Sequence, residues 1–419
     1  MISRSINNTD TKKSKFFEIP LPSSRQKISA VLAAIVALFA INNVIYFTPG
    51  VFGVVYYLLL SVFLSVAFLS GDRLKFNIEM WLLYAVCWLS ILGNDIPSVF
   101  RAEWRCIGFM LVTFLLAPAF ESDFLAQFRL NLFRYLLDAC VAISVLSFIG
   151  RFIGISVYLS STSLWCGITA HSMLLGPIAG VSIITVLYKL LIDKNTEKNL
   201  TYYHFFALAV SIFCLIGAAS RTSILATAAG AFILIIRRGS VKKVVPLILV
   251  GFIVCITSFS FISSLWENVV QKNNNESTLN LDSRTYLWKQ RLVEFKKNPL
   301  FGIGFANIED DTGDPFEGKI EPGSSWLIIL SMLGIGGGIS ILLLLNNTVV
   351  RFSECKEKDV GLLLFSLCVF WALEMCAEGF VFASGSFLCF MLWSLVGAVE
   401  GACHLQEKTI EENLSEKDS

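Results

Sequence analysis

Nearly the whole chain is divided into apolar stretches of membrane-spanning length, joined by short polar connections. A run of about 18 or more apolar residues matches the hydrocarbon core of a bilayer. In that solvent every backbone N–H and C=O must find its partner inside the segment, so the runs commit the chain to helices. Only 16% of the 419 residues are charged and 55% are hydrophobic, which excludes an ordinary soluble domain. In windows of roughly 19 residues, spans fall near 28–46, 51–70, 76–92, 108–120, 136–155, 173–192, 205–219, 223–236, 244–262, 326–345, 360–376 and 387–403. The expected fold is all-α: a polytopic bundle of about twelve transmembrane helices with one long outer loop containing short helices.

Orientation follows from the lysine and arginine bias. With a cytoplasmic N-terminus, the inward segments hold Lys12, Lys13, Lys15, Arg73, Lys75, Arg129, Arg134, Lys194, Lys198, Arg237, Arg238, Lys242, Lys243, Arg351, Lys356 and Lys358. The short outward loops then hold only Arg101, Arg105, Arg151 and Arg221. An even helix number places residues 1–26 and 405–419 inside as tails, with helices in 27–264 and 324–404 and the long loop 265–323 outside. This is the topology of a multi-pass membrane protein with both termini cytoplasmic. The acidic C-terminal tail lacks an apolar face and is expected to carry no ordered element. Most of the eleven cysteines lie inside apolar runs and read as small hydrophobes. Cys106 and Cys166 are the pair that an outward-facing bridge would join.

The outward polar residues are the candidates for chemistry. Arg221 sits in the tight junction of two apolar runs, flanked by Ser220 and Thr222. Its bland role is to snorkel to the interface; its functional role is to bind an anion, since guanidinium offers a planar fork of donors suited to phosphate. In the long loop, residues 281–295 show helical periodicity, with Leu287, Leu292 and Phe295 on one side and Asp282 or Ser283 as cap. Arg284 would then lie in the first turn, where the helix dipole favours anions. The competing reading is an amphipathic helix on the membrane surface. Gly302-Ile303-Gly304 lacks the spacing of a nucleotide-binding loop and predicts a turn. The acidic run Glu309, Asp310, Asp311 and Asp314 reads as a solvated surface rather than a metal site. His171, at the start of the sixth span, is the outward histidine; His204 and His404 fall on the cytoplasmic side. Glu374 and Glu378 lie in or near the eleventh span, where carboxylates are functional candidates by default. Glu378 is close enough to the outer face to reach a cavity there, and the deeper Glu374 is expected to bond between helices.

These residues resemble the O-antigen ligase and polysaccharide polymerase superfamily over about 205–345. Ser220-Arg221-Thr222 is similar to the family's arginine after a serine at an outer helix junction. Arg284 to Trp288 and Asn298-Pro299 to Gly304 are similar to its Arg-x-x-x-Trp helix and Pro-x-x-Gly-x-Gly turn. Leu327, Leu330, Gly334 and Gly337 follow the spacing of its Leu-rich span. Counting back from Gly334, the family's catalytic histidine falls on Gly323 and its asparagine on Ser324, while its acidic residue is replaced by Met332.

The resemblance implies a glycosyltransferase without cofactor or metal, whose donor is a polyprenyl-pyrophosphate-linked glycan and whose acceptor is a glycan or the lipid A core. Arg221, Arg284, Ser220, Trp288, Ser324 and Glu378 would bind substrate, and His171 or Glu321 would be the catalytic base. The missing histidine favours polymerisation of repeat units over ligation. The lipid bilayer and a chain-length regulator or flippase are the expected partners, and no nucleic acid. The alternative from another class is a transporter. It fits less well, because the long loop faces out and no half of the chain repeats.

Overall fold

The structure, a computed structural model, describes residues 23–48, 57–58, 60–65, 75–158, 164–191, 198–238, 279–309, 313–314, 319–320, 323–354 and 358–418. Its helices are α1 (Ser23–Asn42), α2 (Ile78–Leu92), α3 (Ala102–Leu116), α4 (Asp123–Phe152), α5 (Ser172–Leu191), α6 (Lys198–Gly217), α7 (Arg221–Arg238), α8 (Leu279–Lys297), α9 (Ser325–Glu354), α10 (Lys358–Ala377) and α11 (Phe387–Asp418). Three small antiparallel pairs join β1 (Lys75–Phe76) to β2 (Phe120–Glu121), β3 (Val157–Tyr158) to β4 (Trp165–Gly167), and β5 (Gly313–Asp314) to β6 (Lys319–Ile320). Among the described residues, seven helices are long and apolar enough to cross a membrane. The expected all-α polytopic bundle is the observed one. The ninth predicted span and most of the second lie outside the described residues.

The helices run up and down, so that the start of α4 meets the far part of α11 while the starts of α5, α7 and α9 gather at the opposite end. Helix α4 is central, packed on α1, α5, α6 and α11. Ser144 Oγ closes on Cys140 O at 2.9 Å within the helix, while Ser147 Oγ accepts from Ile168 N at 3.2 Å. Between α5 and α6, Ser182 and Ser211 share a hydrogen bond of 2.7 Å.

Several element boundaries differ from those read off hydropathy. The helix at the expected fourth span is Ala102–Leu116, starting six residues and ending four residues earlier than expected; it ends where Ala117 turns extended ahead of Pro118. The fifth is the second half of the 30-residue α4, which starts at Asp123 with Ser122 as N-cap, its Oγ accepting from Leu125 N at 3.2 Å. Hydropathy misses the first half because it carries Gln127, Arg129, Asn131 and Arg134. Arg129, expected in an inward loop, is instead buried within α4. Its guanidinium donates to Leu115 O at 3.1 Å, Phe114 O at 3.4 Å and Phe120 O at 2.9 Å, satisfying carbonyls that the end of α3 leaves open. The C-terminal tail is helical rather than unordered: α11 continues to Asp418, tied to the start of α4 by His404 and Lys408 on Asp123. Cys106 and Cys166 are buried free thiols, not a bridge.

Candidate functional site

Small residues set the register of three helices around Arg221. A side chain at Gly176 of α5 would meet Ser220 and Ser223, one at Gly180 would meet Thr227 and Phe370, and one at Gly230 would meet Ile184 and Ser366. Along α7, then, α5 runs parallel and α10 antiparallel. One turn beyond Phe370 on α10, Glu374 comes level with Ser223 and is fully buried. Glu374 is therefore held inside the helix packing and does not open onto the end of the bundle.

The junction of α6 and α7 is as tight as its sequence suggests. Ala219 takes φ +52°, ending α6 in the left-handed conformation. Ser220 then caps α7, its Oγ accepting from Ser223 N at 3.3 Å. Arg221 is the first residue of α7, exposed, and makes no ion pair with any described residue. An exposed arginine thus stands at a helix start, whose open amides favour an anion.

His171 stands beside this junction as the cap of α5. Its Nδ1 accepts from Met173 N at 3.1 Å, and its carbonyl accepts from Thr169 Oγ1 at 2.9 Å. This bond ties the Nδ1 edge of the ring to the helix start and leaves Nε2 as the other edge. His171→Asn should keep the cap, because an amide oxygen accepts from the same N–H groups. His171→Ala should lose about 1 kcal/mol of stability. Purified variants compared by melting and by polymer yield test this: a dead His171→Asn protein with wild-type stability would restore the ring to chemistry.

The second wall is the start of α9 against the end of α10. Ser324 Oγ donates to Met375 O at 3.1 Å, Ser325 N and Oγ both reach Glu378 O at 3.0 and 2.7 Å, and Trp326 Nε1 reaches Ala372 O at 3.1 Å. Glu378 is half-buried and takes part through its backbone. Trp288 Nε1 donates to Gly323 O at 3.1 Å, which brings α8 onto this wall. Gly323 has φ +68°, and a Cβ there would lie 2.8 Å from that of Leu287.

Helix α8 starts at Leu279, so Arg284 lies beyond its first turn and not in it, as the sequence had suggested. The face that packs on α9 is also different. Leu292 is exposed, whereas Arg291 and Glu294 are fully buried and joined at 2.9 Å. Glu294 also accepts from Ser331 Oγ of α9 and, at 3.1 Å, from Glu309 N. Burial pushes the Glu294 carboxyl up and the Arg291 guanidinium down from their ordinary values. Glu309 turns to Lys297, at 2.6 Å.

The predicted turn at 302–304 is present and does more than reverse the chain. Helix α9 breaks at Gly334, with φ 65° and ψ −158°. The carbonyls released by the break are taken up from outside the helix: Ser331 O by Ile303 N at 2.9 Å, and Met332 O by Gly304 N at 3.3 Å and Ser90 Oγ at 2.6 Å. In return Ile335 N reaches Pro299 O at 2.7 Å, and Asn94 Nδ2 of the loop after α2 holds Gly302 O at 3.1 Å. The turn is a plug in a split helix.

Of the sequence candidates, Ser220 and Arg221 form the start of α7, His171 caps the neighbouring α5, and Trp288, Ser324 and Glu378 lie together where α8, α9 and the end of α10 meet. The backbone of Arg284 lies on α8, one turn before Trp288. Glu321 lies outside the described residues. Arg291, Glu294, Ser331, Ser90 and Asn94 were not anticipated. Arg291 and Glu294, three apart on a helix, were the legible part of that group.

The apolar helices define a multi-pass membrane protein, with Arg221 exposed at one helix start. Residues 206–342 match the family model described as O-antigen ligase, which supports the O-antigen ligase superfamily and an enzyme of ligase or polymerase type. No curated protein gives a significant match.

Proposed function

We propose that the protein is a glycosyltransferase of the outer face of the bacterial inner membrane, polymerising surface-polysaccharide repeat units from a polyprenyl-pyrophosphate-linked donor. The observation that carries this is Arg221, exposed at a helix start with no counter-charge among the described residues. The acceptor hydroxyl oxygen attacks the anomeric carbon, the bond from that carbon to the phosphate oxygen breaks, and the anomeric centre inverts. Charge develops on the departing lipid pyrophosphate, where guanidinium groups such as those of Arg221 and Arg284 act most strongly. The hydroxyl proton passes to a base, for which Glu321 fits better than His171, whose accepting nitrogen caps α5.

Polymerisation is preferred to ligation because the family's histidine position falls on Gly323. Its positive φ and its contact with Leu287 suit a residue without a side chain. Arg221→Ala and Arg284→Ala should each lower polymer yield by about a hundredfold or more, the scale for losing one preorganised donor to a developing anion. Surface polysaccharide of unchanged length and amount in both variants would falsify the proposal. A gene deletion separates the two reactions: single-repeat glycan indicates a polymerase, accumulated lipid-linked polymer a ligase.

A further inference from the structure

A second cationic group lies at the same end of the bundle, on the other side of the 378–386 loop. Arg105 and Gly108, three apart, share one face of α3, and Arg101 precedes the helix as its N-cap in the left-handed conformation, φ 49°. That face looks at Tyr57: a Cβ at Gly108 would lie 3.2 Å from the Tyr57 ring, whose hydroxyl is 2.9 Å from Ser384 Oγ. The charges of Arg101 and Arg105 act on each other, and that of Arg105 acts on the Tyr57 phenol. Arg101 is exposed and Arg105 half-buried.

The 378–386 loop connects this group to the first site. Ser325 holds one end of it, through Phe380 N at 3.0 Å. Phe382 in its middle stacks on Phe109 and Phe305 with centroids 5.3 Å away in each case, and Ser384 at its other end reaches Tyr57. The loop thus contacts the start of α9 at one end and Tyr57, beside Arg105, at the other.

We propose that Arg101, Arg105, Tyr57 and Ser384 bind the phosphate group of the acceptor's lipid, while Arg221 and its neighbours bind that of the donor. This rests on the outer-face glycosyltransferase reading. Joining two membrane-held glycans needs two lipid phosphates held at once, one to depart and one to stay. Like-charged guanidinium groups placed together with two hydroxyls supply donors and charge for such a group without themselves forming a neutral pair.

The test is binding of radiolabelled polyprenyl pyrophosphate to the full-length protein in nanodiscs. The wild type should bind two equivalents. Arg101→Gln combined with Arg105→Gln should weaken one of them by about 10- to 100-fold, as expected for losing charge-assisted bonds, and Arg221→Ala should remove the other. Arg105→Lys keeps the charge but not the fork, so it should retain the second equivalent at reduced affinity and shows that loss in the glutamine variant is not misfolding. Lipid A that displaces the second equivalent identifies a lipid A acceptor, and lipid A that does not identifies a second polyprenyl lipid; either result supports the site. Two equivalents retained by the double variant, or only one in the wild type that Arg221→Ala removes, overturns this inference and leaves the proposed function standing. Loss in the double variant with none in Arg221→Ala keeps this site and removes Arg221 from the donor.

Discussion

Replacing Gly334 or Gly302 by alanine should cost about 2–5 kcal/mol each, combining a left-handed backbone penalty of about 1–2 kcal/mol with overpacking of about 1–3. At Gly334 the φ of 65° with ψ of −158° belongs to a region that only glycine occupies readily. A Cβ there would also sit 2.5 Å from the Leu300 carbonyl carbon. At Gly302, φ is +68° and the added carbon would fall on the Met332 carbonyl. Both substitutions strike the same joint from opposite sides, so the double variant should cost less than the sum of the two. Gly385→Ala is the control, since its φ is not positive and nothing lies within 4 Å; it should stay within about 0.5 kcal/mol. Melting in detergent and proteolysis of the 265–323 loop measure the effect. Gly334→Ala protein that melts like the wild type would mean that the split in α9 is not required.

This joint shows how far the sequence could be read. The turn at 302–304 was legible from Pro299 and two glycines, because a turn is a local property. Its partner was not, because the carbonyls it serves lie some thirty residues on, in a helix whose hydropathy gives no sign of a break at Gly334. Arg221 was legible for the opposite reason: a charge between two apolar runs stands out in any window. Hydropathy windows located the helices but lost the first half of α4, since Arg129 is polar by composition and buried by function, capping α3. Helix periodicity pointed to Leu287, Leu292 and Phe295 as the inner face of α8, and an apolar criterion cannot see that Arg291 and Glu294 turn inward as a pair. His171 was found by its position, while its role changed once its Nδ1 proved to be a cap. The common cause is that side-chain partners remote in sequence decide polar roles, and periodicity reports only on apolar ones.

Glu294→Ala should cost about 3–5 kcal/mol, because it leaves the Arg291 guanidinium in the interior without its nearest carboxylate. The same residue also joins three segments, α8 through Arg291, α9 through Ser331 and the strand of chain at Glu309. Replacing both charges by apolar residues of similar volume, Arg291→Met with Glu294→Leu, should be close to neutral in melting temperature. Burial shifts both groups toward their uncharged forms, so desolvation offsets much of what their attraction contributes. The pair therefore specifies how α8 sits on α9 more than it adds to stability. The double variant then isolates positioning. If α8 must be held so that Trp288 stays on the start of α9, the double variant melts normally yet polymerises more slowly, with the loss in kcat rather than in donor KM. If the pair is only a packing element, the double variant regains full activity together with stability. A Glu294→Ala protein as stable as the wild type would show that Glu309 or another group already balances Arg291, and the docking of the loop would then rest on the Gly334 joint alone.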